Sequence, residues 1–160
     1  MALNSGLRRV VVGILLGLLL GGCGADAGVD QHGQKVTAEQ LENQWLIINY
    51  WAEWCSPCRR EIPELNSLAQ EWAGRDVHVL GVNFDGLQGA ELARASEAMG
   101  IRFRVLAQDP SARFALPRSE VLPVTYIVDG SGKVRERLAG EQSADGLKAH
   151  LARLRAGGGE

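Results

Sequence analysis

The chain predicts an α/β domain built on a mixed β-sheet, and three observations predict it. The runs W-L-I-I-N-Y-W (45–51) and V-H-V-L-G-V-N (77–83) are apolar with little polar alternation, the pattern of strands buried on both faces. Between them Ile62, Leu65, Leu68, Ala69 and Trp72 recur at intervals of three and four, the period of a helix laid on a sheet. The chain then closes on P-V-T-Y-I-V (123–128), the turn D-G-S-G and a second strand-like run, which make a hairpin.

The amino terminus comes first. Arg8 and Arg9 precede an apolar run from Val10 to Leu20 broken only by Gly13 and Gly17. Eleven helical residues rise about 16 Å, roughly half a bilayer core, so the run is too short to span a membrane and suits a secretion signal. The junction L-L-G-G-C resembles the lipobox of bacterial lipoproteins, matched at Leu20, Gly21, Gly22 and Cys23. That resemblance implies a signal peptide over 1–22, cleavage before Cys23 and a lipid on its sulfur. Residues 23–36 are small, polar and aperiodic and are expected to form the anchor and a flexible tether. The folded domain is expected over 37–156, and G-G-G-E at 157–160 is expected to be a disordered tail.

Within the domain, Thr37 and Gln40 stand at capping-box spacing. After the first strand, a helix is expected from Cys55 to Trp72, kinked at Pro63 and stopped by Gly74. The second strand follows at 77–83. An alanine-rich helix from Ala90 to Met99 ends at Gly100, a third strand is expected from Phe103 to Ala107, and Asp109-Pro110 opens a turn or short helix. The strand at 123–128 pairs with Lys133–Ala139. The last helix, Ser143–Arg155, carries Leu147, His150, Leu151 and Leu154 in register.

The chain has 160 residues with 17 basic and 19 acidic side chains, a net charge of −2; loss of Arg8 and Arg9 with the leader takes it to −4. An acidic chain without a basic, aromatic-interleaved run offers no nucleic-acid surface. Three cysteines in an exported protein leave one odd, and lipidation of Cys23 leaves Cys55 and Cys58 as a pair. A disulfide between them closes so small a loop that it constrains the unfolded chain little, which argues against a structural clamp. Zinc needs four ligands, and His32, His78 and His150 are scattered; neither a metal nor another cofactor is expected. What remains is redox chemistry. The strand runs through C-S-P-C straight into a helix, so Cys55 falls at the first turn. There the unpaired N–H groups and the helix dipole stabilise a thiolate. Cys55 is then the attacking sulfur and Cys58, one turn on, resolves the mixed disulfide. Pro57 sits where no donor is needed.

The segment W-A-E-W-C-S-P-C-R-R-E-I-P resembles the active site of the thioredoxin superfamily, and more closely that of TlpA-like extracytoplasmic thiol-disulfide oxidoreductases. The likeness spans about residues 35–155. It implies a thioredoxin-like fold with an extra helix and strand within residues 84–107. In E-V-L-P-V-T-Y it implies a cis bond before Pro123 facing the dithiol, with Leu122 influencing partner choice. Trp54 is expected on the exposed rim and Trp51 in the core. The position six before Cys55, a buried aspartate in thioredoxin, is Asn49, which cannot titrate. Glu61 matches a glutamate of the TlpA-like motif and stands one turn from Cys58, so it becomes the candidate proton acceptor, with Glu53 second and a solvated face residue as the bland alternative.

The resemblance implies a membrane-anchored enzyme of the bacterial periplasm that reduces disulfides of partner proteins, often for cytochrome c maturation. A transmembrane donor would return the electrons. The competing readings are a disulfide oxidant or isomerase, a binding module for a partner or copper, and a thiol peroxidase; the last lacks its threonine-proline stretch before Cys55.

Overall fold

The structure is a computed structural model and describes residues 26–157. The expected signal peptide, Cys23 and residues 158–160 lie outside the described residues. The core is a five-stranded sheet in the order β3-β2-β1-β4-β5. β1 (Trp45–Trp51) lies at its centre, parallel to β2 (Val77–Asn83) and antiparallel to β4 (Val124–Val128). β3 (Arg104–Leu106) continues the parallel side, and β5 (Val134–Ala139) pairs antiparallel with β4 through the final hairpin. The sheet is therefore mixed. The helices are α1 (Ser56–Glu71), α2 (Gly89–Ala98), the single turn α3 (Ser111–Phe114) and α4 (Ala144–Ala156). Among the described residues no helix is long and apolar enough to cross a membrane.

The side-chain alternation of β1 divides the core into two layers. Ile47 and Trp51 join α1, α2 and α4 through Ile62, Leu65, Leu92 and Leu147. Leu46, Ile48 and Tyr50 face the other way, onto Phe114, Leu116 and Tyr126. Both faces of β1 are dry, which is why its sequence shows so little polar alternation. Asn49 is the exception: it falls on the α1 face, buried, opposite Thr125 of β4.

Gly81 in β2 shows how tight this packing is. A Cβ there would lie 3.0 Å from Val105 Cγ2 and 3.1 Å from both Phe103 Cε2 and Trp51 Nε1. α1 runs through Pro63 as one helix.

The expected tether needs correction. From Ala27 onward residues 26–36 are folded onto the sheet edge. Val29 pairs with Lys35, and Asp30 with Leu106 of β3. Gln31 is buried and its amide serves both Phe103 O (3.1 Å) and Val105 N (2.7 Å). The physical reason is the unpaired backbone of the short edge strand β3, which this segment satisfies. The small, polar composition disguised a strand edge whose contacts are made by backbone and one amide. At the other end Gly157 is the C-cap of α4, donating to Arg153 O at 3.0 Å, and so belongs to the domain.

Candidate active site

β1 delivers the chain to the site. Beyond Trp51 a tight turn brings Cys55 N to Ala52 O (3.2 Å), and Cys55 becomes the N-cap of α1 in extended backbone geometry. Its sulfur accepts the N–H of Cys58 at 3.2 Å. A free helix donor thus points at the first sulfur, and the dipole favours negative charge there. Cys55 and Cys58 are joined in a disulfide, with Cα atoms 5.3 Å apart, and both are buried. Pro57 lies in the first turn, where a missing N–H costs nothing.

Above the pair, Trp54 is 65 % exposed. Its indole N–H donates to the Asp85 carboxylate at 3.1–3.2 Å and its ring meets Phe84 edge-on, centroids 6.2 Å apart. Phe84 is itself exposed, so the two rings and Asp85 form a rim fixed to the end of β2. Trp51, by contrast, is fully buried.

The Leu122–Pro123 bond is cis. Pro123 O accepts from Gly140 N at 2.9 Å, and Val124 beyond it opens β4 opposite Tyr50. Leu122 packs against the cluster that holds both cysteines, while Val121 stays exposed.

One helical turn past Cys58, Glu61 has no exposed surface at all. Asn49 Nδ2 donates to its Oε1 at 2.6 Å and Gln142 N donates to its Oε2 at 3.1 Å. Asn49 Nδ2 also donates to Thr125 Oγ1 at 3.1 Å. Burial pushes the Glu61 carboxyl up to about 7; the two hydrogen bonds oppose that rise and the nearby Glu141 charge adds to it. A carboxylate so placed accepts a proton near neutral pH, where an ordinary glutamate is already a weak base.

The solvated alternative for Glu61 therefore falls, whereas Glu53 is exposed, with its backbone oxygen held by Arg59 at 3.0 Å. The structure brings Cys55, Cys58, Glu61 and Asn49 together on α1 and the face of β1 beneath it. Sequence reasoning missed Thr125, Gln142, Phe84 and Asp85. Thr125 carried no signal of its own, because its role depends on its register opposite Asn49. Gln142 carried none, because it acts through its backbone. Among the described residues no group of three or more His, Cys, Asp and Glu is placed to hold a metal ion.

Comparison with known proteins bears on the family and the fold. The thiol-disulfide oxidoreductase ResA of Bacillus anthracis is 26 % identical over 125 residues, 78 % of this chain and 72 % of that protein. The thiol:disulfide interchange protein DsbE homolog of Paracoccus denitrificans is 40 % identical over 108 residues, 66 % of this chain and 57 % of that protein. Among solved structures, a thioredoxin-family thiol:disulfide interchange protein from Chlorobium tepidum TLS superposes with a TM-score of 0.67 at 24 % identity, covering 81 % of this chain and 91 % of that one. A DsbF homologue from Corynebacterium diphtheriae gives 0.65 at 20 % identity, with 79 % and 82 % covered. These likenesses establish the thioredoxin-like fold. The AhpC/TSA family matches residues 24–137, most of the folded chain, and the protein belongs to that family.

Proposed function

We propose that this thiol-disulfide oxidoreductase is an extracytoplasmic reductant. It is held to a bacterial membrane by a lipid on Cys23, acts on disulfides of selected partner proteins, with cytochrome c maturation as a use, and is recharged by a transmembrane dithiol donor. The observation that carries the chemistry is the fully buried Glu61, one turn from Cys58 and titrating near neutrality. The leader pattern supports the location, and the relatives named ResA and DsbE support the substrate class.

In the reduced enzyme Cys55 attacks a partner disulfide. A bond forms between Cys55 Sγ and the partner sulfur, the partner's own S–S bond breaks, and its second sulfur leaves as a thiolate. Cys58 passes its proton to Glu61 and attacks Cys55 Sγ. The Cys55–Cys58 bond forms, the mixed disulfide breaks, and the partner sulfur that was bonded to Cys55 departs as a thiolate. Two electrons have moved from the enzyme to the partner. The rim of Trp54 and Phe84, together with Leu122 and the Pro123 segment, offers the docking surface.

Equilibrating the Cys55–Cys58 pair with glutathione tests the direction. A reductant gives a potential near the thioredoxin end of the range, about −270 mV; a value near about −120 mV marks an oxidant and refutes the proposal.

A further inference from the structure

Glu61 is held at both oxygens, from two different elements. Gln142 of the β5–α4 connection supplies a backbone N–H, which no substitution short of proline removes. The other donor is a side chain, Asn49 Nδ2, at 2.6 Å. We propose that Asn49 is a positioning residue for Glu61: its amide, itself oriented by Thr125, holds the carboxylate where it receives the Cys58 proton. The inference rests on Glu61 being that acceptor.

Three observations carry it. The 2.6 Å separation between amide and carboxyl is that of a short hydrogen bond, which becomes charge-assisted once Glu61 ionises, and Asn49 and Glu61 are both fully buried. Toward the ionised carboxylate the amide has only one workable orientation. Nδ2 serves two acceptors, Glu61 Oε1 and Thr125 Oγ1 at 3.1 Å, and a flip would turn Oδ1 against the carboxylate. The third observation is a cost. Asn49 Oδ1 is buried without a partner among the described residues. A buried asparagine with an unpaired acceptor is poor for stability, and such costs persist where a site needs the group's other end.

The charges that bear on Glu61 are few. Glu141, on the β5–α4 connection, raises its titration and is itself ion-paired to Arg60 of α1 at 2.8 Å. From β1 and β4 it meets the neutral Asn49 and, through it, Thr125. On its own helix stand the two cysteines.

The test uses the reduced full chain in single-turnover reduction of an excess disulfide-bonded peptide across pH 5–9, with the Glu61 carboxyl carbon followed by NMR over the same range. In the wild type the rate rises through the Glu61 titration. Asn49→Ala withdraws a donor from the charged form, so both midpoints move up by about one to two pH units, and the rate at pH 6 drops about tenfold or more. Thr125→Val shifts them the same way by less, and Thr125→Ser restores the wild-type midpoint. Wild-type midpoints in both Asn49→Ala and Thr125→Val overturn the proposal. If Asn49→Ala does not fold, Thr125→Val decides alone. Glu61→Gln separates the two levels: it flattens the profile if Glu61 is the acceptor, whereas a retained inflection removes the acceptor reading on which the role of Asn49 stands.

Discussion

Replacing Glu61 by glutamine should make the oxidised protein more stable at alkaline pH while leaving it near the wild type under mildly acidic conditions. The carboxyl holds its proton to about 7 in the fold, against 4.5 for an ordinary glutamate. Between those values the folded state binds more protons than the unfolded chain, so stability falls as pH rises through that window. Above it the fold carries the whole cost of ionising a buried acid, roughly 3 kcal/mol. Glutamine is neutral at every pH and can still accept from Asn49 or Gln142. The stability difference between Glu61→Gln and wild type should therefore grow from its baseline at pH 4.5 to a plateau near pH 8. At the plateau the melting temperature should differ on the order of 10 °C. Urea melts of the oxidised forms at half-unit pH steps measure this directly. Parallel curves for the two proteins would refute the reasoning, because they would mean that Glu61 ionises as it does in water.

Cys58→Ser should accumulate a mixed disulfide between Cys55 and a partner, visible on non-reducing gels and by mass spectrometry, and Cys55→Ser should not. Trp54→Ala removes an exposed ring, so KM for a protein disulfide should rise several-fold with melting temperature nearly unchanged. Gly81→Ala forces a methyl against Val105, Phe103 and Trp51 and should cost about 1–3 kcal/mol in denaturant melts. Cys23→Ser should abolish labelling by a fatty-acid probe and release the protein from the membrane fraction.

The fold was legible where burial writes itself into composition. β1 and β2 coincide with their apolar runs to the residue, because both faces of each strand must be apolar. The helices were found within a residue or two of their ends, since Gly74 and Gly100, both at positive φ, mark where each chain turns away. The two cysteines and Pro123 were legible from spacing and resemblance. The depth of Glu61 was not. A glutamate one turn past a cysteine reads equally well as solvated, and only the crossing of α1 over β1, with the β5–α4 connection closing beside it, removes it from water. Thr125 looks like an ordinary strand residue until its register opposite Asn49 is known. Residues 26–36 misled for another reason: their contacts with β3 are main-chain bonds and a single glutamine, and no hydrophobic period records them.

The docking of those residues shortens the leash. Ala27 is already bonded to Val36 at 2.9 Å, so only three residues, four Cα steps, separate it from Cys23, the proposed point of lipidation. Fully extended, those four steps reach about 14 Å. With Cys23 lipidated as proposed, a domain moored so closely would not patrol the compartment: it would ride on the bilayer and meet partners that come to the same surface. Its encounters would become two-dimensional, with the high effective concentration of tethered pairs. Loosening the edge, for instance by Gly28→Ala at a φ of +85°, where a Cβ would strike Gln108, should lengthen the mooring and slow electron exchange with a membrane-bound donor without touching the dithiol.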